Sequence, residues 1–155
     1  KLQDKFTYAV TGRQSSELIL ERADHKEINM GLRSMKGDRP SHADINVGKN
    51  YLLEDELYSL HILCEQFLLF VESWALRGKR LTMQEMSDKF DHLLEVQGHP
   101  VFREYKAYLA QKAKDHATRE LALYRDRQLA LPPEQRDAAL MAMPQSVASI
   151  PSTDG

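Results

Sequence analysis

Between Glu54 and Leu76 the residues Leu57, Leu60, Cys64, Phe67, Leu68, Val71, Trp74 and Ala75, with His61 among them, recur at three- and four-residue steps. That spacing predicts an amphipathic helix. Glu54, Asp55 and Glu56 crowd its first turn, and Arg77, Lys79 and Arg80 follow its last, with Gly78 as the stop. This is the charge order that the helix dipole favours. The polar side, formed by Glu54, Tyr58, Glu65, Gln66, Glu72 and Ser73, is interrupted by Ile62, Leu69 and Leu76 at seven-residue spacing. One amphipathic helix cannot bury that second seam alone. Either another helix of the same domain or a second copy of the chain must cover it, which makes Ile62, Leu69 and Leu76 the self-association candidates.

Thr82-Met83-Gln84-Glu85 has the form of a capping box. Met83, Met86, Phe90, Leu93 and Leu94 then mark one face, and Gly98 and Pro100 close the helix. A third helix is expected from Val101, with Phe102, Tyr105, Leu109, Ala113, Ala117, Leu121 and Tyr124 on one stripe. Pro132-Pro133 breaks it, a short helix is expected between Glu134 and Met143, and the small, polar residues from Pro144 on predict a disordered tail. Helical spacing also runs from Gln14 to Ala23, with Thr11 as its candidate cap, but the rest of the first fifty residues reads as turns. The expected fold is therefore all-α in one domain. A loop-rich region over residues 1–52 is draped on one end of a core at 53–131, whose three long helices, near 54–77, 83–97 and 101–129, pack together. Residues 132–155 add the short helix and tail.

The chain's 155 residues are 42% hydrophobic and 28% charged, enough apolar material for the core of one domain. A formal charge of −2 argues against a general nucleic-acid binder, so any such contact must be local. Cys64 is the one cysteine, which excludes an internal disulfide and fits a reducing, cytoplasmic setting. No segment approaches the roughly 20 apolar residues that span a bilayer, and Lys1-Leu2-Gln3-Asp4-Lys5 opens no signal-peptide core. The chain begins without methionine, with Phe6, Tyr8 and Val10 ready for burial, and is expected to continue a longer protein.

Arg22 lies four residues after Leu18 and three after Ile19, so a helix would half-bury its guanidinium on their face. It then needs a fixed anion. Asp24, Asp44 or a glutamate would serve internally, whereas a phosphate or carboxylate ligand would be clamped jointly with Lys36 and Lys49. Glu17, Glu21 and Asp24 line a second face that could serve acid–base or metal chemistry but reads better as a solvated acidic stripe. His25 beside Asp24, and His42 near Asp44, come without the spacing of a helical metal site, so no metal and no cofactor are expected. Gly48-Lys49-Asn50 lacks the spacing and the Ser or Thr of a phosphate loop. Cys64 and His61 fall on the apolar face of the central helix, where core duty explains both.

Several runs resemble the RhuM-type virulence proteins of bacteria: Phe6-Thr7-Tyr8-Ala9-Val10-Thr11-Gly12, Glu17-Leu18-Ile19 leading to Arg22-Ala23-Asp24, Asn29-Met30-Gly31-Leu32, Lys36-Gly37, and Val47-Gly48-Lys49-Asn50-Tyr51-Leu52. The likeness fades after Gly98. Ser15-Ser16 and Gly48 depart from the small threonine or alanine residues usual there. The resemblance implies a C-terminal region that follows a DNA-binding-like module similar to those of phage antirepressors, in a family tied to virulence islands and mobile elements. It implies no particular chemistry. Tyr8, Thr11, Asn29 and Asn50 are the polar residues of these runs, and turn or cap duty explains them as well as ligand binding does.

Two functions from different classes follow. One is an interaction or oligomerisation module, which the lack of a recognisable nucleophile, metal set or phosphate loop favours. The other is an enzyme or binding domain for a phosphorylated or nucleic-acid ligand, using Tyr8, Thr11, Glu17, Arg22, Asp24, Asn29, Lys36, Lys49 and Asn50.

Overall fold

The structure is a computed structural model, and it describes residues 2–137. Six α-helices follow one another: α1 (Leu2–Thr11), α2 (Ser15–Arg22), α3 (His42–Ile45), α4 (Glu54–Leu76), α5 (Met83–Val96) and α6 (Tyr108–Ala130). Short 3-10 turns stand at Ile28–Gly31, Gly48–Tyr51 and Pro133–Gln135, and no strand occurs among the described residues. None of the described helices is long and apolar enough to cross a membrane. The described residues form two compact units, one from 2–15 and 55–107, the other from 16–54 and 108–137.

The first unit is held by an aromatic triangle. Phe6 of α1, Phe67 of α4 and Phe90 of α5 meet with ring centroids 4.3 to 5.7 Å apart. Ala9, Leu63 and Leu94 complete the buried set. Leu2, Phe6, Ala9 and Val10 follow helical spacing, so the first residues form α1 rather than the irregular stretch expected of them. Thr11 closes this helix instead of capping the next: its hydroxyl donates to the Thr7 carbonyl at 2.8 Å and accepts the Arg13 amide at 3.0 Å. Gly12 then turns the chain at φ 67°. The Thr82 capping box is present, with Glu85 N donating to Thr82 Oγ1 at 3.1 Å and Thr82 N donating to Glu85 Oε2 at 2.8 Å.

α4 buries Leu63 and Phe67, with Leu60, Cys64 and Val71 packed beside them. Leu68, expected on that face, is exposed. Two further expectations change. The third long helix starts at Tyr108, not Val101, and it builds the second unit rather than sharing the core of α4 and α5. The reason is local. Phe102 is buried with its ring against Tyr8 and Tyr105, and the Gln14 side chain binds the Glu104 carbonyl and the Lys106 amide, so these backbone groups are taken before a helix can form.

In the second unit, Ala113, Ala117, Leu121 and Tyr124 of α6 form one buried stripe against Ile19, Ala23, Met30, Leu32, Ile45 and Tyr51. The two alanines let α3 and the Ile28–Gly31 turn pack closely on α6. After Pro132 the expected short helix is a single 3-10 turn within the described residues. Its remaining positions and the tail expected from Pro144 lie outside them.

Phe90 has no exposed surface and completes the triangle, so Phe90→Ala should destabilise the first unit by about 3–5 kcal/mol. Denaturant unfolding measures the loss. A change under 1 kcal/mol would mean that the triangle does not hold this core together.

Candidate functional site

A cavity of about 380 Å³ opens in the second unit where α2 ends. Its polar lining consists of Glu21, Arg22, Asp24, Glu27, Asn29, Arg33 and Tyr51, beside Ile28, Gly31, Leu32 and Leu53. The wall is shaped by an unusual turn. Asn29 and Met30, both fully buried, take left-handed backbone angles at φ 52° and 50°, and Gly31 follows at 87°. A side chain on Gly31 would place its Cβ 2.1 Å from the Arg22 carbonyl oxygen. Only glycine lets this turn approach the end of α2.

The turn is gripped by α6. Glu120 Oε2 accepts the His25 amide at 2.7 Å and lies 2.6 Å from His25 Nδ1. His116 Nε2 lies 2.8 Å from the Ala23 carbonyl oxygen, and Arg127 donates to the carbonyls of His25 and Lys26 at 3.1 and 2.7 Å. Tyr124 OH donates to Asp137 at 2.9 Å, and the same carboxylate accepts the Asn29 amide at 3.2 Å. Burial pushes the hydroxyls of Tyr51 and Tyr124 well above their ordinary range, with Asp44 and Asp137 adding to it, so both remain neutral donors. Burial also raises the Glu120 carboxyl, but the amide and ring of His25, with the charges of His25 and His116, outweigh it and leave the group below its ordinary value.

The sequence candidates separate in space. Tyr8 and Thr11 belong to the first unit, Tyr8 with its ring against Phe102 and Thr11 at the end of α1. Arg22, Asp24 and Asn29 meet at the cavity, but Glu17, Lys36 and Lys49 take no part in its lining. Arg22 Nη1 donates to the Tyr51 carbonyl at 2.9 Å. Lys36 and Lys49 are exposed, and the Lys36 amide donates to the buried Asp44 carboxylate. Asn50 acts as a staple: its side chain donates to the Asp44 carbonyl at 3.0 Å, and its own carbonyl accepts the amides of Arg33 and Ser34. Arg33, the second guanidinium at the cavity, was not a sequence candidate. Its one signal was its place directly after the Asn29-to-Leu32 run.

Asp24, His25 and Glu120 bring three ligand-type atoms within 4.8 Å of one another, a grouping that sequence reasoning did not foresee. All three side chains are already engaged, Glu120 Oε2 with the His25 amide and His25 Nδ1, and Asp24 Oδ1 with the Lys26 amide at 2.9 Å. The trio acts as a clasp between this loop and α6. His116, Glu120, Tyr124 and Arg127 recur at helical spacing, a polar stripe that the charged cover of α6 concealed.

Two outcomes are expected. Gly31→Ala should destabilise the protein by more than about 1 kcal/mol in denaturant unfolding, since it adds a clash at a positive φ. Glu120 has a lowered folded pKa, so its contribution is fully present above the unfolded carboxyl value of ~4.3 and is lost as pH falls through the lower folded value. Thermal melts of wild type and Glu120→Gln should therefore converge as pH drops below ~4.3. A gap that holds constant into acid would contradict the clasp.

No curated protein and no solved structure matches this chain. The model of the Virulence protein RhuM family matches residues 1–131 of the 155. Those residues include both units' described cores, the left-handed turn and its grip on α6, and on that match the chain belongs to the RhuM family.

Proposed function

We propose that this RhuM-family domain is a self-association module, acting in the cytoplasm and partnered with the upstream DNA-binding-like module that the family resemblance implies. The observation that carries this reading is the outer side of α4. Ile62, Leu69 and Leu76 are 41%, 64% and 81% exposed, and Tyr58 beside them is 67% exposed. Large apolar side chains gathered along one helix face mark an interaction surface, because burying each against a partner contributes about 1.5–3 kcal/mol when complete.

The alternative, a cavity for a phosphorylated ligand, has Arg22 and Arg33 in its favour. Three carboxylates, Glu21, Asp24 and Glu27, stand on the same lining and oppose an anion. Among the described residues that lining also contains no serine, cysteine, histidine or lysine.

Sedimentation should show a concentration-dependent dimer. Leu69→Asp should return it to monomer with the thermal transition of wild type diluted below its dimer range, since the side chain is not in the core and dimerisation itself raises apparent stability. Glu65 and Glu72 flank the seam, so added salt should tighten the association by screening their repulsion. A strict monomer at high concentration overturns the proposal.

A further inference from the structure

Where α4 hands over to α5, three cations converge on one indole. Arg77 Cζ, Lys79 Nζ and Lys89 Nζ stand 5.0, 5.1 and 4.1 Å from the ring centroid of Trp74. Arg80 follows Lys79 directly, and both are exposed. The aromatic face attracts each cation, by about 0.5–1 kcal/mol at an exposed site, but does not neutralise any. Among the described residues none of these four cations forms an ion pair. The nearby Glu85 carboxylate feels Lys89, yet it is held by the Thr82 amide and hydroxyl in the helix cap, which lower its pKa first and most. Like charges gathered this closely repel one another, and an external polyanion relieves that repulsion.

We propose that this cluster binds the phosphate backbone of a nucleic acid. An anionic lipid surface is the competing polyanion, and vesicles are therefore included as an outcome of the test. The basic track runs along the flank of the α4–α5 hairpin, from the Arg77–Arg80 loop to Lys89 in the second turn of α5, and so suits a line of phosphates. The chain's formal charge of −2 is no obstacle, because phosphate contacts act within about a Debye length, ~8–10 Å. The Ile62–Leu69–Leu76 seam lies on the other side of α4, so self-association leaves this track open.

Trp74 is the chain's one tryptophan, which makes its fluorescence a direct reporter of the site. Titrating the whole chain with a labelled 20-mer, duplex or single-stranded, at low salt should raise the anisotropy of the label and change the Trp74 emission together. The duplex affinity should fall with salt at a log–log slope of about −2.7 to −3.6, the value for three to four phosphate contacts. The double variant Lys79→Glu, Arg80→Glu should bind at least tenfold more weakly, with a slope shallower by about 2. Its thermal transition should match wild type. Lys112→Glu, a charge reversal on the exposed side of α6, should bind as wild type does. No anisotropy change with either oligonucleotide at low salt would overturn the proposal. So would equal loss in the Lys112→Glu control, or binding to phosphatidylserine vesicles with none to the 20-mers.

Discussion

The second unit depends on the grip of α6 on the loop that leaves α2. That loop makes two costly demands. Asn29 and Met30 hold left-handed backbone angles that ordinary side chains avoid, at about 1–3 kcal/mol each, and the carbonyls of Ala23, His25 and Lys26 need donors where helix α2 no longer supplies them. α6 meets both demands with adjacent stripes. Its apolar stripe buries Met30, and its polar stripe of His116, Glu120 and Arg127 binds the loop backbone. Tyr124 belongs to both, packed in the core by its ring and tied to Asp137 by its hydroxyl. Each stripe alone would leave either strain or unsatisfied backbone groups.

This division of labour gives the Asn29-Met30-Gly31-Leu32 run a structural explanation. Gly31 is required by the approach of the Arg22 carbonyl, Asn29 tolerates the left-handed region better than most residues, and Met30 and Leu32 are core. Asn50, Asp44 and the Lys36 amide serve the neighbouring loops in the same way. Arg22, Asn29 and Asn50 of the family-like runs in this unit thus all take part in holding loops in place.

The first unit faces a different constraint. It is small, and small units leave much of their apolar surface uncovered. α4 shows this directly, because its inner side is filled by Leu63 and Phe67 while Ile62, Leu69 and Leu76 remain on the outer side. The handover to α5 concentrates positive charge around Trp74 in the same unit. The exposed apolar seam and this positive charge lie on different sides of α4.

Patterns confined to one helix were legible in the sequence. The α4 and α5 boundaries, the Thr82–Glu85 box, the buried Ala113-to-Tyr124 stripe and the second seam of α4 all follow from spacing and capping chemistry that neighbouring residues carry. Even here local spacing misled, since Phe102 and Tyr105 fit the stripe of α6 yet stand before it, where Gln14 has taken the Glu104 carbonyl and the Lys106 amide. The cavity, by contrast, needed the fold. Arg22 could be foreseen as a half-buried cation seeking an acceptor, but its bond to the Tyr51 carbonyl, 29 positions away, could not, and Glu120 reaches His25 across 95 positions of chain. Local order in a sequence encodes periodicity and caps, because those interactions join residues a few positions apart. That Lys89 of α5 joins Arg77 and Lys79 at the indole, and which carboxylate meets a histidine, is decided only when separate segments pack, because these interactions require contact rather than proximity along the chain.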